Sequence, residues 1–296
     1  MKIVRALTLA MLFLTLLACG RGERPTTDTT ETAVTETMTD TSATVPATST
    51  MPAETPAAIA ARTEANVPVE GLAMWLAADA LVTTGPESVV TMWRSPNNMR
   101  ASQDRDGNRP RLYPNAIGGK PAIRFDGDDD FLETNLNIDP TSMPNVTIIT
   151  VFNSRTNETD PHRKVYGADD GDYDRAAGLD GRATGENNYA IFGGAGNGVI
   201  PYFRLEANQT YLTVDQYTPE HFNGWVNGQK RIDAHPLDHG RHLPHLYLGA
   251  TGTAFPEYWA GDIAEVMVYL RPLIEEERRR VEDYLAVKYA VSLARK

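Results

Sequence analysis

From residue 71 onward, apolar positions recur mostly at a spacing of two with turn dipeptides between the runs, a pattern that predicts strands. The run 71–79 (GLAMWLAAD) opens the series and 89–93 follows it. In 121–125, Ala122 and Arg124 alternate with Ile123 and Phe125 ahead of a turn at Asp126-Gly127. The run 145–153 (NVTIITVFN) has β-branched residues at six of its nine positions and is the most strand-like of all. Further strands are expected at 188–192, 199–206, 211–217, 245–248 and 263–270. Two Asn-Gly pairs, Asn223-Gly224 and Asn227-Gly228, have the composition of tight hairpins. The period then changes. Ile274, Val281, Leu285 and Tyr289 share one helical stripe, with Glu275–Arg279 and Glu276–Arg280 as favourable i,i+4 pairs. Many strands followed by one helix predict an all-β, two-sheet antiparallel sandwich with a C-terminal α-helix, not α/β alternation.

The first 66 residues read differently. Lys2 and Arg5 precede an apolar run from Ala6 to Ala18, broken only by Thr8 and Thr15 and closed by Leu16-Leu17-Ala18-Cys19. That run is too short to span a membrane and has the form of a secretory signal. Cys19 is the chain's one cysteine, so it has no disulfide partner. The segment resembles the lipobox of bacterial lipoproteins. The resemblance implies removal of residues 1–18, a diacylglycerol on the Cys19 sulfur and an acyl group on its amine; Gly20 in place of Asp points to the outer membrane. Residues 19–66 lack Phe, Tyr and Trp and are rich in Thr, Ala, Pro and Glu. Such a stretch cannot offset the entropy of ordering its backbone and is expected to be a disordered stalk. The folded domain is expected at 67–296, where all four Trp and all twelve Tyr lie.

Residues 1–20 carry +2 and residues 21–66 carry −4, which leaves −9 on 67–296 of the chain's total of −11. Phosphate backbones need a basic patch, so nucleic acid is excluded as a partner. Neutral glycans, cations and basic partners stay open.

Three blocks of sequence then line up. Gly71-Leu-Ala-Met-Trp-Leu-Ala-Ala-Asp79 is the first. The second runs from Arg109-Pro110 through Gly119-Lys120-Pro121-Ala122-Ile123-Arg124-Phe125-Asp126-Gly127 to Asp129-Asp130-Phe131-Leu132. The third is Gly261-Asp262-Ile263-Ala264-Glu265-Val266 to Tyr269, followed by Glu276–Tyr289. In that order they resemble the signature of bacterial surface proteins of the concanavalin A-like lectin/glucanase superfamily, the laminin-G-like group. The resemblance implies a jelly roll of two antiparallel sheets, a fold shared by lectins, adhesion modules, glucanases and lyases. Trp93 is followed by Arg-Ser-Pro-Asn where such proteins have W-x-D-x-S-G. Their closing KYG is Lys288-Tyr289-Ala290, which allows the helix to run on to Leu293.

Candidate chemistry is sparse. Asp126, Asp128, Asp129 and Asp130 crowd onto a turn, where they either hold Ca²⁺, a structural cofactor wanting six to eight oxygens, or cap turn amides. Asp169, Asp170, Asp172 and Asp174 lack the Gly and Glu of an EF-hand loop and read as a solvated acidic loop. His235, His239, His242 and His245 lie among Pro236, Gly240 and Pro244, which break any helix that would align them; a polar connection is expected. No G-x-S-x-G and no E-x-D-x-(x)-E run is present, and Arg62-Thr63-Glu64 of the stalk lacks the second Arg of a lyase motif. Asp262 and Glu265, three apart, are expected on opposite faces of their strand. No catalytic residue is assigned. Aromatics near strand ends, namely Tyr202, Tyr217, Trp225, Tyr258 and Trp259, are the candidates for a sugar-binding rim, whereas Trp75 reads as core. The expectation is a membrane-anchored, non-catalytic, lectin-like protein of a Gram-negative envelope that binds glycan or another surface ligand. A polysaccharide-degrading enzyme and a structural or protein-adhesive module on the same fold are the alternatives.

Overall fold

A computed structural model describes residues 55–239, 244–254 and 256–295. The signal segment, Cys19 and His242 lie outside the described residues, as does the stalk up to residue 54. The last part of the stretch expected to lack structure is a helix, α1 (Pro56–Ala65). Thr55 caps it by accepting the Ala58 N–H, and Pro56 at the first position gives up an N–H that would have no intrahelical partner. The alanines that kept this stretch from looking like a core are good helix formers.

Strands follow in chain order: β1 (Leu72–Ala77), β2 (Val82–Thr84), β3 (Val90–Arg94), β4 (Arg100–Ser102), β5 (Arg111–Ile117), β6 (Lys120–Asp126), β7 (Leu132–Asn137), β8 (Val146–Ser154) and β9 (Arg163–Ala168). Next come β10 (Arg175–Asp180), β11 (Asn188–Phe192), β12 (Val199–Arg204), β13 (Thr210–Tyr217), β14 (His221–Val226), β15 (Gln229–Pro236), β16 (His245–Leu248) and β17 (Ala260–Tyr269). The helix α2 (Glu275–Tyr289) closes the series. One sheet has the order β15-β14-β13-β8-β17-β6-β5, with β1 also paired to β17; the second runs β12-β11-β10-β9-β16-β7-β4-β3-β2. All ladders between named strands are antiparallel, so the two-sheet antiparallel sandwich expected from the patterning is the fold observed.

Two cores divide the apolar residues. Between the sheets lie Trp93, Phe125, Phe152, Tyr166, Tyr189, Trp259 and their neighbours. The outer face of the first sheet presents Ile149, Val151, Leu212, Val214, Met267 and Tyr269 to Val281, Tyr284, Leu285 and Tyr289 of α2. Strand β17 is therefore buried at every position, and β8 at all but one, which is why 145–153 reads as a continuous apolar run. Among the described residues, the outer face of the second sheet carries no helix.

Two local expectations are corrected. Only Asn227-Gly228 forms a hairpin turn, with φ of 48° and 79°. Asn223-Gly224 instead lies within β14, where a Cβ on Gly224 would come within 2.5 Å of the Tyr202 ring. And α2 stops at Tyr289: Ala290 takes φ 54° as a left-handed cap where the related signature has Gly, so the helix does not reach Leu293.

Candidate functional site

The blocks that carry the family resemblance converge on a structural clamp. Lys288 of α2 donates to Asp79 Oδ1 (2.9 Å) and Glu265 Oε2 (2.7 Å). Trp75 Nε1 (2.5 Å) and the Tyr289 hydroxyl (2.7 Å) donate to the same Glu265 carboxylate. Burial pushes the Glu265 carboxyl up and Lys288 pulls it back. Asp262 is paired two-pronged with Arg124 at 2.6 and 2.9 Å. A register shift between Ile263 and Glu265 turns both carboxylates to the helix-covered side, so the expectation of opposite faces is corrected; a bulge breaks the period-two count. Both groups are committed to partners within the fold.

Of the proposed rim aromatics, three are core. Trp259 has no exposed surface and meets Phe152 edge-on at 5.6 Å. Tyr217 is likewise buried, and Tyr202 is 7% exposed with its hydroxyl 3.4 Å from the Val214 carbonyl. Nearness to a strand end says nothing about which side of a sheet a ring occupies. Trp225 is half-buried beside α2, between the Arg278 guanidinium (4.7 Å) and the Lys230 ammonium (5.2 Å). Tyr258 alone of the five faces the free side of the second sheet.

Around the buried tyrosines lies an ionisable group that sequence reading passed over. Asp215, on β13, accepts from the Tyr166 (2.9 Å) and Tyr189 (3.1 Å) hydroxyls through Oδ2, while Oδ1 has no partner. Burial pushes its carboxyl up to about 7, although the tyrosine hydroxyls oppose the shift. In the unfolded chain an aspartate releases its proton near pH 3.9. The folded state thus holds a proton that the unfolded state has lost, and stability falls as pH rises from about 4 to about 7. Asp215→Asn cannot ionise, so its melting temperature relative to the unmodified protein should climb between pH 5 and pH 8. A difference that stays flat across that range in thermal melts would show that Asp215 does not titrate there.

Tyr258 opens onto a groove of about 470 Å³ on the outer side of β4, β7 and β16. Strand β7 alternates, with Leu132, Thr134 and Leu136 buried and Glu133, Asn135 and Asn137 more exposed. Glu133 and Asn135 line the groove with Arg100 and Ser102 of β4 and His245 of β16. Phe131, one residue ahead of β7, stacks on Tyr258 (6.3 Å, 29°) and also approaches Tyr247 at 6.1 Å. His245 Nδ1 is 2.6 Å from Glu133 Oε1, and the Arg100 N–H donates to Asn135 Oδ1 (2.9 Å). The result is a flat aromatic patch beside side-chain amides, a carboxylate and cations. Phe131, Glu133, Asn135 and Arg100 were not taken as site residues from sequence, and His245 was read only as part of a polar connection, although the alternation of 132–137 was there to be read. Of the other described histidines, His235 lies on β15 and His239 meets the Phe192 carbonyl at 3.0 Å, so these two and His245 sit in separate surroundings.

Two polar clusters hold the loops beside the groove. The buried Lys164 ammonium pairs with Asp180 (2.7 Å) and Glu257 (2.9 Å), and Arg182 binds both carboxylates. Although burial works against it, hydrogen bonds from Arg182 and Lys164 hold the Asp180 carboxyl well below the usual range. On the other side, oxygens of Asp126, Asp129 and Asp130 gather within 4.8 Å, and Asp128 of the expected group stays outside. Asp126 Oδ1 accepts the N–H groups of Asp128 (2.8 Å) and Asp129 (3.2 Å), and Asp130 Oδ2 accepts that of Asp126 (3.0 Å). This is the turn-capping arrangement. Burial and the Asp126 charge push the Asp130 carboxyl up to about 7. Asn108 Nδ2 then links the turn to the groove through the Asp129 carbonyl (3.0 Å).

No protein-family model and no curated protein matches the chain. Among solved structures, Trypanosoma rangeli sialidase in complex with sialic acid is similar over 75% of this chain and 34% of its own, with 17% identity and a TM-score of 0.53. The structure described as the HCR/D F1240A mutant is similar over 75% of this chain and 55% of its own, with 10% identity and a TM-score of 0.50. The chain spans about a third of the first protein and about half of the second, and at these identities what is shared is the β-sandwich fold.

Proposed function

We propose that the protein is a lectin-like glycan-binding module whose ligand lies across the groove of the second sheet. One observation carries the reading: a stacked aromatic pair, Phe131 and Tyr258, borders Asn135, Glu133, Arg100 and His245 on the sheet face that no helix among the described residues covers. Sugar rings stack on flat aromatic surfaces while amides and carboxylates read their hydroxyls. The sialidase with the similar fold was solved with sialic acid, which makes sugars the ligand class to test first. The reading is non-catalytic because the closing strand's carboxylates are engaged within the fold, Glu265 in the clamp and Asp262 with Arg124. A glycan-array screen of the full chain should find ligands, and Tyr258→Ala or Phe131→Ala should weaken them about tenfold or more. Binding that survives both changes and is lost in Trp225→Ala would move the site to the α2 side; no bound glycan would favour the structural or protein-adhesive reading.

The His245–Glu133 hydrogen bond inside the groove favours a second reading, a polysaccharide-degrading enzyme with His245 as base. New reducing ends or unsaturated uronate absorbance, abolished by His245→Ala with the fold intact, would establish it.

Anchoring at the outer membrane through lipidated Cys19 belongs to the same proposal. It rests on the apolar run ending at that residue, since two acyl chains suffice for stable attachment. Cys19→Ala should release the protein from the membrane fraction; unchanged fractionation and no lipid mass increment would overturn the anchor. Among the described residues, no helix is long and apolar enough to cross a membrane.

A further inference from the structure

Beside the first half of α2, over β13, β14 and β15 of the first sheet, lies a cavity of about 430 Å³ that is separate from the glycan groove. Two side-chain amides line it, Gln216 of β13 and Asn223 of β14, each only 8% exposed. The oxygen of each is already engaged by the main chain. Gln216 Oε1 accepts the Leu273 N–H (3.0 Å), and Asn223 Oδ1 accepts the Ala234 N–H (3.0 Å). Those bonds fix which end of each amide is the nitrogen. Neither Gln216 Nε2 nor Asn223 Nδ2 has a hydrogen-bond partner among the described residues. A buried donor without an acceptor is costly, so the two N–H₂ groups call for acceptors inside the cavity.

Arg278 of α2, 5% exposed, adds a third donor to the wall. Its Nη1 binds Glu282 (2.6 Å), and the remaining guanidinium nitrogens have no hydrogen bond among the described residues. The Trp225 ring, also on the wall, holds this guanidinium at 4.7 Å and the Lys230 ammonium at 5.2 Å, so two cations are placed in advance. Lys230 also pairs with Asp233, and Arg279 pairs with Glu275. Glu275 is the one carboxylate on the wall among the described residues, against the three cations Lys230, Arg278 and Arg279.

We propose that this cavity is a second ligand site, one that takes the carboxylate of an acidic sugar such as a uronate. The unspent side-chain groups of Gln216, Asn223 and Arg278 are all donors, so the ligand must bring the acceptors. A carboxylate brings two oxygens in one plane, which suits planar amide and guanidinium donors. The excess of cations favours it over a neutral hydroxyl or carbonyl. Trp225 is half-buried and offers apolar surface to the sugar carbons, and the volume is that of a small-molecule site. The sugar part of the ligand rests on the glycan-binding reading; the carboxylate part rests on the donors alone.

The test titrates the full chain, purified in detergent, with methyl glucuronide by calorimetry at low salt. The dissociation constant should be about 1 mM or tighter, and methyl glucoside, which lacks the carboxylate, should bind about tenfold more weakly or worse. Asn223→Asp keeps the oxygen that accepts the Ala234 N–H and exchanges the free donor for a second carboxylate oxygen. It should weaken methyl glucuronide about tenfold or more. If Asn223→Asp does not fold, Lys230→Gln, at the exposed rim, should weaken it about threefold. Tyr258→Ala, in the separate groove, should leave this binding in place. The proposal is overturned by no binding of methyl glucuronide, by equal binding of methyl glucoside, or by binding that persists in both α2-side variants. Acetate binding as tightly as methyl glucuronide would overturn its sugar part. Neutral glycans weakened by Tyr258→Ala would still support the groove, so the two readings fail separately.

Discussion

Lys288→Ala is expected to destabilise the protein by about 3–5 kcal/mol, the usual loss when one partner of a buried ion pair is removed. The Lys288 side chain is 13% exposed and Glu265 is fully buried, so the carboxylate left behind could not recover its hydration. Trp75 and Tyr289 would still donate to Glu265, but two neutral donors do not balance a buried charge. Asp79 would lose the same ammonium. Because Lys288 sits in the last turn of α2, the lost contact frees the end of the helix that covers the first sheet. Urea unfolding at pH 7 measures the loss. Adding Glu265→Gln to the lysine variant should return part of it, since the stranded charge is then gone. A single-variant loss under about 1 kcal/mol would show that solvent reaches Glu265 and that the clamp is not what holds α2.

Lys164→Ala should cost a similar amount, about 3 kcal/mol or more, and should also reach the groove. Its ammonium is fully buried between Asp180 and Glu257, 4.7 Å from the centre of the Phe192 ring. Arg182 would keep Asp180 charged, but Glu257 would lose one of its two cations. Glu257 adjoins Tyr258, so the change should loosen the segment that carries the groove's aromatic wall. Faster amide exchange around residues 256–259 and weaker glycan binding should accompany the lower stability. The acid side of this network has a defined sign: Asp180 is held low, so its contribution is complete above pH 4 and is lost as pH falls through its folded pKa. Lowered stability with unchanged exchange at 256–259 would separate the network from the groove.

Much of the architecture was legible because its causes are local. Alternation in 211–217 and 263–270, the Asn227-Gly228 turn and the stripe from Val281 to Tyr289 each follow from side-chain direction along one segment. The strands that escaped notice, such as β9 and β10, are interrupted by Gly167, Gly178, Lys164 and Asp180. A charge inside a strand looks like an exposed position until the opposite charge arrives from another part of the chain.

The same reason separates the two levels for the protein as a whole. By itself the sequence determined the all-β class, the closing helix, the acid surface charge and the turns, all of which depend on neighbours within a few residues. Only the tertiary structure decided that Trp259, Tyr217 and Tyr202 are core while Tyr258 faces a groove, because either face of a sheet can be the buried one. It alone joined Phe131 to Tyr258 and His245 to Glu133, pairs 127 and 112 residues apart in the chain. It also buried Asp174 beside Asp169 and Asp170, for burial is a property of the packed chain and not of any segment.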